Sequence, residues 1–333
     1  MNRTRIGIIG AGPAGLSAAL WLCNRGFAPW IVEAGERPGG MLNLNFLGND
    51  WVLGHEDATG VELAQRFAQH VQRRDVRLWC GARPHAVRRD GGGFRLEFTT
   101  PEGAREETAQ ALLIATGTRY RAEEVLSGVP GAQDLLAREI ACGPYAFADL
   151  EAQSGRRILI VGGGDNAYEN ARLLAGKAAV LHLVMRGAPR AGMHLRAEVE
   201  AAVRAGRCRV YRHTRIAAIA RRDGTLEVRL SGERGSETVA VDRIHVLAGY
   251  VPNTAFLAPV FGALAAGFEL DAAGYLRADA DGRTGVRGVY AAGDVCNPQF
   301  PCVVSALAQG ARAARAIEHD LALARHAGPG PAL

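Results

Sequence analysis

RIGIIGAGPAGLSAALWLCNRGFAPWIVE, residues 5–33, decides the fold. The β-branched run Ile6-Gly7-Ile8-Ile9 leads into a glycine-rich turn, an amphipathic stretch and a second apolar run that ends at Glu33. That order reads as strand, helix, strand. The turn is Gly10-Ala11-Gly12-Pro13-Ala14-Gly15, a G-x-G-x-x-G. Gly10 permits the tight turn, Gly12 lets the backbone approach a pyrophosphate, and Gly15 lets helix and strand pack closely. The helix N-terminus then faces the phosphate charge. Glu33, at the end of the second strand, is placed to accept hydrogen bonds from ribose hydroxyls. The hexapeptide alone is a weak signal. The strand before it, the helix it opens and the acid after it make it a dinucleotide site.

Residues 157–186, RILIVGGGDNAYENARLLAGKAAVLHLVMR, repeat the plan. Here the turn is Gly162-Gly163-Gly164-Asp165-Asn166-Ala167, a G-x-G-x-x-A, and the second strand ends at Met185-Arg186 with no acid. A guanidinium at that point favours a 2′-phosphate over a free 2′-hydroxyl, and Arg190 lies close enough in sequence to help. Further strands are expected over 76–79, 94–99, 111–118, 225–230, 242–248 and 289–294, with an Asp/Gly turn at 90–93 and a final helix over 305–324. The tail from His326, HAGPGPAL, is expected to be disordered. The pattern predicts an α/β chain with two Rossmann-like dinucleotide-binding domains, the second inserted into the first. The outer domain is expected over 1–115 and 248–325, the inserted one over 116–247, and the tail over 326–333.

Apolar residues make up 48% of the 333, enough for large cores, but only 6% are aromatic, so aliphatic side chains and Ala must do the packing. The net charge of +5 is nearly all an Arg excess, without a Lys/Arg block, so nucleic-acid binding is not expected. No stretch reaches the roughly 18 apolar residues of a membrane span. The N-terminal apolar run carries Gly and Pro and reads as strand and turn, not as a signal peptide, so a cytoplasmic location is expected. Cys23, Cys80, Cys142, Cys208, Cys296 and Cys302 are scattered with no C-x-x-C, which argues against a disulfide framework and a structural zinc site. No metal is expected.

GAGPAG (10–15), PGGML (38–42), ATGT (115–118), VPG (129–131), VGGGDNAYENA (161–171), GYVPNT (249–254) and AAGDV (291–295) occur in one order over nearly the whole chain. In these motifs the chain resembles the low-molecular-weight thioredoxin reductases and their relatives among the FAD-dependent pyridine nucleotide oxidoreductases. The resemblance implies FAD in the outer domain, NADPH or NADH in the inserted one, and a homodimer. It places Gly39, Gly40 and Met41 on the loop that passes the flavin ring, and Thr116 and Gly117 where the chain leaves the FAD domain. Asp294 matches the acid that bonds the ribityl chain, with Gly293 making room for it. Cys302 and Val303 match a helix start whose amides face the flavin N1/C2 edge, where a helix dipole stabilises the charge of reduced flavin.

The chain departs from its relatives in two places. Thioredoxin reductases carry a redox-active C-x-x-C before the second Gly-rich turn; those positions fall on Gly143 and Ala146, and a one-residue shift recovers only Cys142. Thiol exchange needs one sulfur to attack and one to resolve. Cys302, Cys142 and Cys296 are the candidate redox thiols, the last being separated from Cys302 by one short loop. Cys23, Cys80 and Cys208 are expected to be core residues. The second departure is at the phosphate: Met185-Arg186-Gly187 stands where the family has His-Arg-Arg, and Arg190 comes one residue early. None of the nine histidines falls in a motif; His55 and His194 are expected on loops and His70 on a helix. Hydride transfer from nicotinamide to flavin needs stacking and orientation, not a protein base. The leading expectation is an NAD(P)H-dependent flavoenzyme whose acceptor is not thioredoxin: a ferredoxin- or flavodoxin-type carrier, a quinone or a small molecule. One alternative is an oxidase or reductase of a low-molecular-weight thiol or disulfide. The other is a non-catalytic FAD- and nucleotide-binding sensor.

Overall fold

In the computed structural model, residues 3–49, 51–136, 138–144, 148–233 and 235–326 are described. The chain divides into two compact units, Met1–Arg119 with Val251–Leu333, and Tyr120–Tyr250. These cuts fall a few residues beyond the 115 and 247 expected from the motifs. Pairing of the two chain passages accounts for the shift: the strands at 118–120 and 250–252 bond to each other at the crossing.

The first unit opens with β1 (Arg5–Ile9), α1 (Pro13–Asn24) and β2 (Ala28–Val32). Pro13 sits at the start of α1, where its missing N–H costs nothing. Next come α2 (Gly60–Gln72), β3 (Arg77–Trp79), β4 (Arg83–Asp90), β5 (Gly93–Thr100), β6 (Gly103–Ala109), β7 (Ala111–Ile114) and β8 (Thr118–Tyr120). Thr59 and Glu62 cap α2 reciprocally, each side chain accepting the other's backbone N–H. Asp90 pairs with Gly93 across a two-residue turn in which Gly91 and Gly92 take φ of 53° and 84°, the left-handed pair that suits a tight hairpin.

The second unit contains α3 (Ala122–Leu126), β9 (Ile140–Cys142), β10 (Arg157–Val161), α4 (Asp165–Leu174), β11 (Val180–Val184), α5 (Met193–Arg204), β12 (Cys208–Tyr211), β13 (Thr214–Arg222), β14 (Thr225–Gly232), β15 (Gly235–Val241) and β16 (Arg243–Val246). The chain then returns to the first unit through β17 (Tyr250–Pro252), α6 (Leu257–Phe261), β18 (Val289–Ala291) and α7 (Val303–His326). Residues 327–333, most of the expected tail, lie outside the described residues; His326 itself ends α7.

Each unit has a five-stranded parallel sheet, ordered β18-β7-β1-β2-β3 in the first and β12-β11-β10-β16-β9 in the second. Central strands of such sheets are covered on both faces, so RIGII, ALLI and RILIV read as continuous apolar runs. The internal repeat runs further than the two Gly-rich segments suggest. Each unit also carries a three-stranded antiparallel meander, β4-β5-β6 and β13-β14-β15, just before the strand that joins beside β1 or β10. Only the middle strands, β5 and β14, alternate clearly in sequence; β6 and β15 are polar and exposed over most of their length.

Three buried strands are shorter than expected: β7 stops at Ile114, β16 spans Arg243–Val246, and β18 stops at Ala291. In the first of these, Gly117 takes a φ of 61° and turns the chain away. His194 lies on the first turn of α5, not on a loop, because the helix begins directly after its N-cap Gly192. Of the three cysteines expected in the core, only Cys208 is buried; Cys23 and Cys80 are half-buried at element ends.

Candidate functional site

In the first unit the glycine turn is fixed by contacts on one side and left open on the other. Gly10 has a φ of 107° and donates its N–H to Val32 O at 2.8 Å. A Cβ on Gly10 would lie 2.4 Å from Ala115 O, and one on Gly15 2.0 Å from Gly10 O. Both positions exclude side chains for packing reasons. A Cβ on Gly12 would meet nothing within 4 Å, so no protein atom requires glycine there; the space in front of it is what a ligand would use. Pro13 and Ala14 open α1 directly behind this turn. Glu33 stands just past β2 with both oxygens turned to the loop: Oε2 accepts Ala11 N–H at 2.6 Å and Oε1 accepts Gly35 N–H at 2.7 Å.

The PGGML loop backs onto the same turn. Gly39 N–H donates to Ala11 O at 2.8 Å, and a Cβ on Gly40 would lie 3.2 Å from Gly12 Cα. Met41 follows, half-buried, in a 3-10 turn at Gly40–Leu44. Val303, at the start of α7, packs with Leu42 against a small cluster of Val52, Ala58 and Leu63. Thr116 and Gly117 are tied to the returning chain by Asn253. Thr116 Oγ1 donates to Asn253 O at 2.9 Å, Asn253 Nδ2 to Thr116 O at 2.8 Å, and Asn253 N–H to Gly117 O at 3.0 Å. Gly293 has a φ of 83° and donates its N–H to Gln309 Oε1 at 2.8 Å; a Cβ there would lie 2.8 Å from Ala14 Cβ. Asn253 was visible only as part of a motif. Gln309 had no signal in the sequence at all, since a Gln inside an amphipathic helix is ordinary.

Asp294 is the most informative group in this unit. Its Oδ1 is enclosed and has no hydrogen-bond partner among the described residues, and burial pushes its carboxyl up to about 6. A buried carboxylate oxygen left unpaired is costly. A hydroxyl donor from a bound molecule would satisfy it. At the next turn Cys302 N–H donates to Ser305 Oγ at 3.3 Å and Cys302 Sγ accepts Ser305 N–H at 3.4 Å, so that amide is engaged within the turn.

All six cysteines are free. Cys296 Sγ points to Gly293 O at 3.4 Å, and burial, with Asp294 nearby, pushes its thiol up to about 12. Burial and then the Glu123 charge also raise Cys142 above the ordinary thiol range. A raised thiol works against thiolate chemistry.

In the second unit Gly162 has a φ of 153° and a Cβ on it would lie 2.4 Å from Leu247 O, while one on Gly164 would meet nothing within 4 Å. The division between packing glycine and open glycine is the same as in the first unit. Gly163 O accepts Arg190 N–H at 2.7 Å, which folds the Arg186–Arg190 segment back over the turn with both side chains exposed. Asp165 Oδ1 accepts Gly192 N–H at 2.8 Å, Asn166 Nδ2 bonds Tyr250 Oη, and Ala167 is fully buried beneath the turn.

The family profile of the pyridine nucleotide-disulphide oxidoreductases matches residues 4–310. The chain belongs to this family. A subunit of the alkyl hydroperoxide reductase of Pseudomonas putida is 30% identical to it over 321 residues, covering 93% of this chain and 56% of that protein. The chain thus spans a little over half the length of that relative. Thioredoxin reductase of Peptoclostridium litorale is 31% identical over 324 residues, covering 93% of this chain and 94% of the relative. The crystal structure of Lactococcus lactis thioredoxin reductase superposes with a TM-score of 0.81 at 24% identity, covering 97% of this chain and 100% of that one. Members of this family use FAD and NAD(P)H. Among the described residues no helix is long and apolar enough to cross a membrane.

Proposed function

We propose that the first unit holds FAD, the second holds the nicotinamide dinucleotide, and electrons leave to an acceptor other than thioredoxin. Gly143 carries the last part. It stands where the first cysteine of the redox pair is expected, it takes a φ of 120°, and a Cβ there would lie 2.7 Å from the Tyr120 ring. Neither a thiol nor any other side chain fits that position unless Tyr120 moves. The second expected position, Ala146, lies outside the described residues, but its identity already excludes a dithiol.

The residues of the first unit fit FAD. Gly12 would leave room for the pyrophosphate beside the N-terminus of α1, Glu33 would be available to the ribose, and the lone Asp294 oxygen would accept a ribityl hydroxyl. Gly39, Gly40 and Met41 would border the ring, and Thr116, Gly117, Gly293, Cys302 and Val303 would complete the enclosure. When bound, the flavin supplies two-electron acceptance from the nicotinamide and release to the acceptor. The chain's own part is to orient both nucleotides, exclude water, and keep Asp294 ready to accept a hydrogen bond. In the second unit Gly162, Gly163, Gly164, Asp165, Asn166 and Ala167 form the pyrophosphate turn, with Arg186 and Arg190 at the adenosine end.

Anaerobic addition of NADPH or NADH should bleach the bound flavin. A flavin silent to both would favour the sensor reading. The reduced protein is then offered a ferredoxin, a flavodoxin, quinones and thioredoxin in turn. Turnover with thioredoxin at a rate matching the best of the others would overturn the choice of acceptor class. The half-buried Cys302, beside Ser305 at the start of α7, keeps a thiol-linked reaction as a second reading. Full turnover of Cys302→Ser with the native acceptor would remove it.

A further inference from the structure

The two units place different residues at one equivalent position. β1 and β2 pair Ile9 with Val32, and β10 and β11 pair Val161 with Val184. The next residue is Glu33 in the first unit and Met185 in the second. Met185 is 4% exposed, and its thioether sulfur lies 3.9 Å from the Tyr168 hydroxyl. It offers no acceptor for a 2′-hydroxyl and no negative charge to repel a phosphate.

The neighbouring strand brings a cation to the same point. Tyr211, the last residue of β12, pairs with Val184. Met185 N–H donates to Tyr211 O at 2.9 Å, and Thr214 N–H donates to Met185 O at 3.0 Å. Arg212 is therefore held beside Met185 by hydrogen bonds on either side. Its guanidinium reaches Glu200 of α5 at 3.8 Å, half-exposed. Arg196 lies one turn earlier on that helix. Burial pushes the Tyr168 phenol up while the charges of Arg212 and Arg196 pull it back, so both guanidiniums act electrostatically on that hydroxyl. Residues 186–215 hold eight Arg against two Glu and no Asp or Lys, a net +6 in a chain of net +5. The chain's charge excess is therefore carried by this stretch of sequence, which contains Arg186, Arg190, Arg196 and Arg212.

We propose that Arg212, backed by Arg196, joins Arg186 and Arg190 to read the 2′-phosphate of NADPH, replacing the His-Arg-Arg run that the sequence lacks. This rests on the reading that the second unit takes the nicotinamide dinucleotide. Arg212 comes from a different strand, some 25 residues beyond the stretch where the family's basic run would stand, which is why motif spacing does not find it. A guanidinium grips phosphate oxygens through charge-assisted, often paired hydrogen bonds.

The test is equilibrium binding of NADP+, NAD+, 2′,5′-ADP and 5′-AMP to the full flavoprotein by calorimetry. The wild type should bind NADP+ more tightly than NAD+. Arg212→Gln should weaken NADP+ and 2′,5′-ADP by about 10- to 100-fold, as loss of a hydrogen bond to a charged group does. NAD+ and AMP should stay within about twofold, and Arg212→Lys should recover part of the loss. Arg209→Gln removes the same charge from the same strand, farther from its end, and should leave all four ligands unchanged. The assignment falls if Arg212→Gln weakens NADP+ and NAD+ alike, if it leaves NADP+ within twofold, or if the wild type prefers NAD+. A wild type that keeps its flavin but binds neither dinucleotide would overturn the nucleotide reading of the second unit, and this assignment with it.

Discussion

Gly10 and Gly12 are two residues apart and are glycine for opposite reasons. Gly10 is held at a φ of 107° against the Ala115 carbonyl, whereas Gly12, at a φ of −72°, has open space in front of it. Gly10→Ala should therefore destabilise the apoprotein by about 2 kcal/mol or more in urea unfolding. Gly12→Val should change apoprotein stability by only about 0.5 kcal/mol yet abolish FAD retention, read as the loss of flavin absorbance on gel filtration. Asp294 allows a signed prediction. Its folded-state carboxyl titrates near 6, above its ordinary 3.8, so the folded apoprotein loses stability as pH rises between those values. Asp294→Asn should then raise apoprotein stability at pH 7 by on the order of 1–2 kcal/mol and weaken FAD binding at the same time. A variant that destabilises the apoprotein would show that the carboxylate has a partner within the protein.

Packing between elements turns these residues into a site. α1 and α7 cross where Gly310 lies against Ala14: a Cβ on Gly310 would sit 2.1 Å from Ala14 O. Ser17 Oγ donates to Leu307 O at 2.7 Å beside that contact. Gly310→Leu should force the helices apart, cost about 1–3 kcal/mol, and release FAD, because Gln309 next to it positions Gly293. In the second unit β16 carries His245, 3% exposed, with neither ring nitrogen bonded among the described residues. Burial lowers its pKa to about 4 from an ordinary 6.5, so it is neutral in the fold at neutral pH. The stability tied to that neutral ring is complete above about pH 6.5 and is lost as pH falls toward 4. Urea midpoints should show on the order of 2 kcal/mol lost between pH 7 and pH 5, and His245→Leu should flatten that slope. An unchanged slope in the variant would assign the acid sensitivity to another group.

At the scale of the whole molecule, chain continuity and compactness part company. The second unit is one uninterrupted segment with its own cores on both faces of its sheet. The first unit is split, and its sheet and helical layer are finished only by β18 and α7 from the far end of the chain. Residues 120–250 expressed alone should unfold cooperatively and gain thermal stability from NADP+, whereas residues 1–119 alone should be unfolded by circular dichroism. Arg283 reinforces the late closure: it bonds Asp320 of α7 at 2.8 and 2.9 Å, and Tyr290 of β18 donates to the same carboxylate at 2.7 Å.

The sequence by itself determined both β-α-β units, their glycine turns, the contrast between Glu33 and Met185, and the lack of a C-x-x-C pair. These are local facts: each follows from the order of residues along a strand, a turn and a helix. The meander strands β6 and β15 escaped notice because their exposed residues carry no apolar alternation. Only the tertiary structure decided that Asp294 has a buried oxygen without a partner, that Tyr120 closes the space at Gly143, that Gln309 holds Gly293, and that Arg212 stands beside Met185. Each of those depends on residues distant in sequence meeting across a sheet or between helices. Hydrogen bonding and close packing act through space, so no spacing along the chain records them.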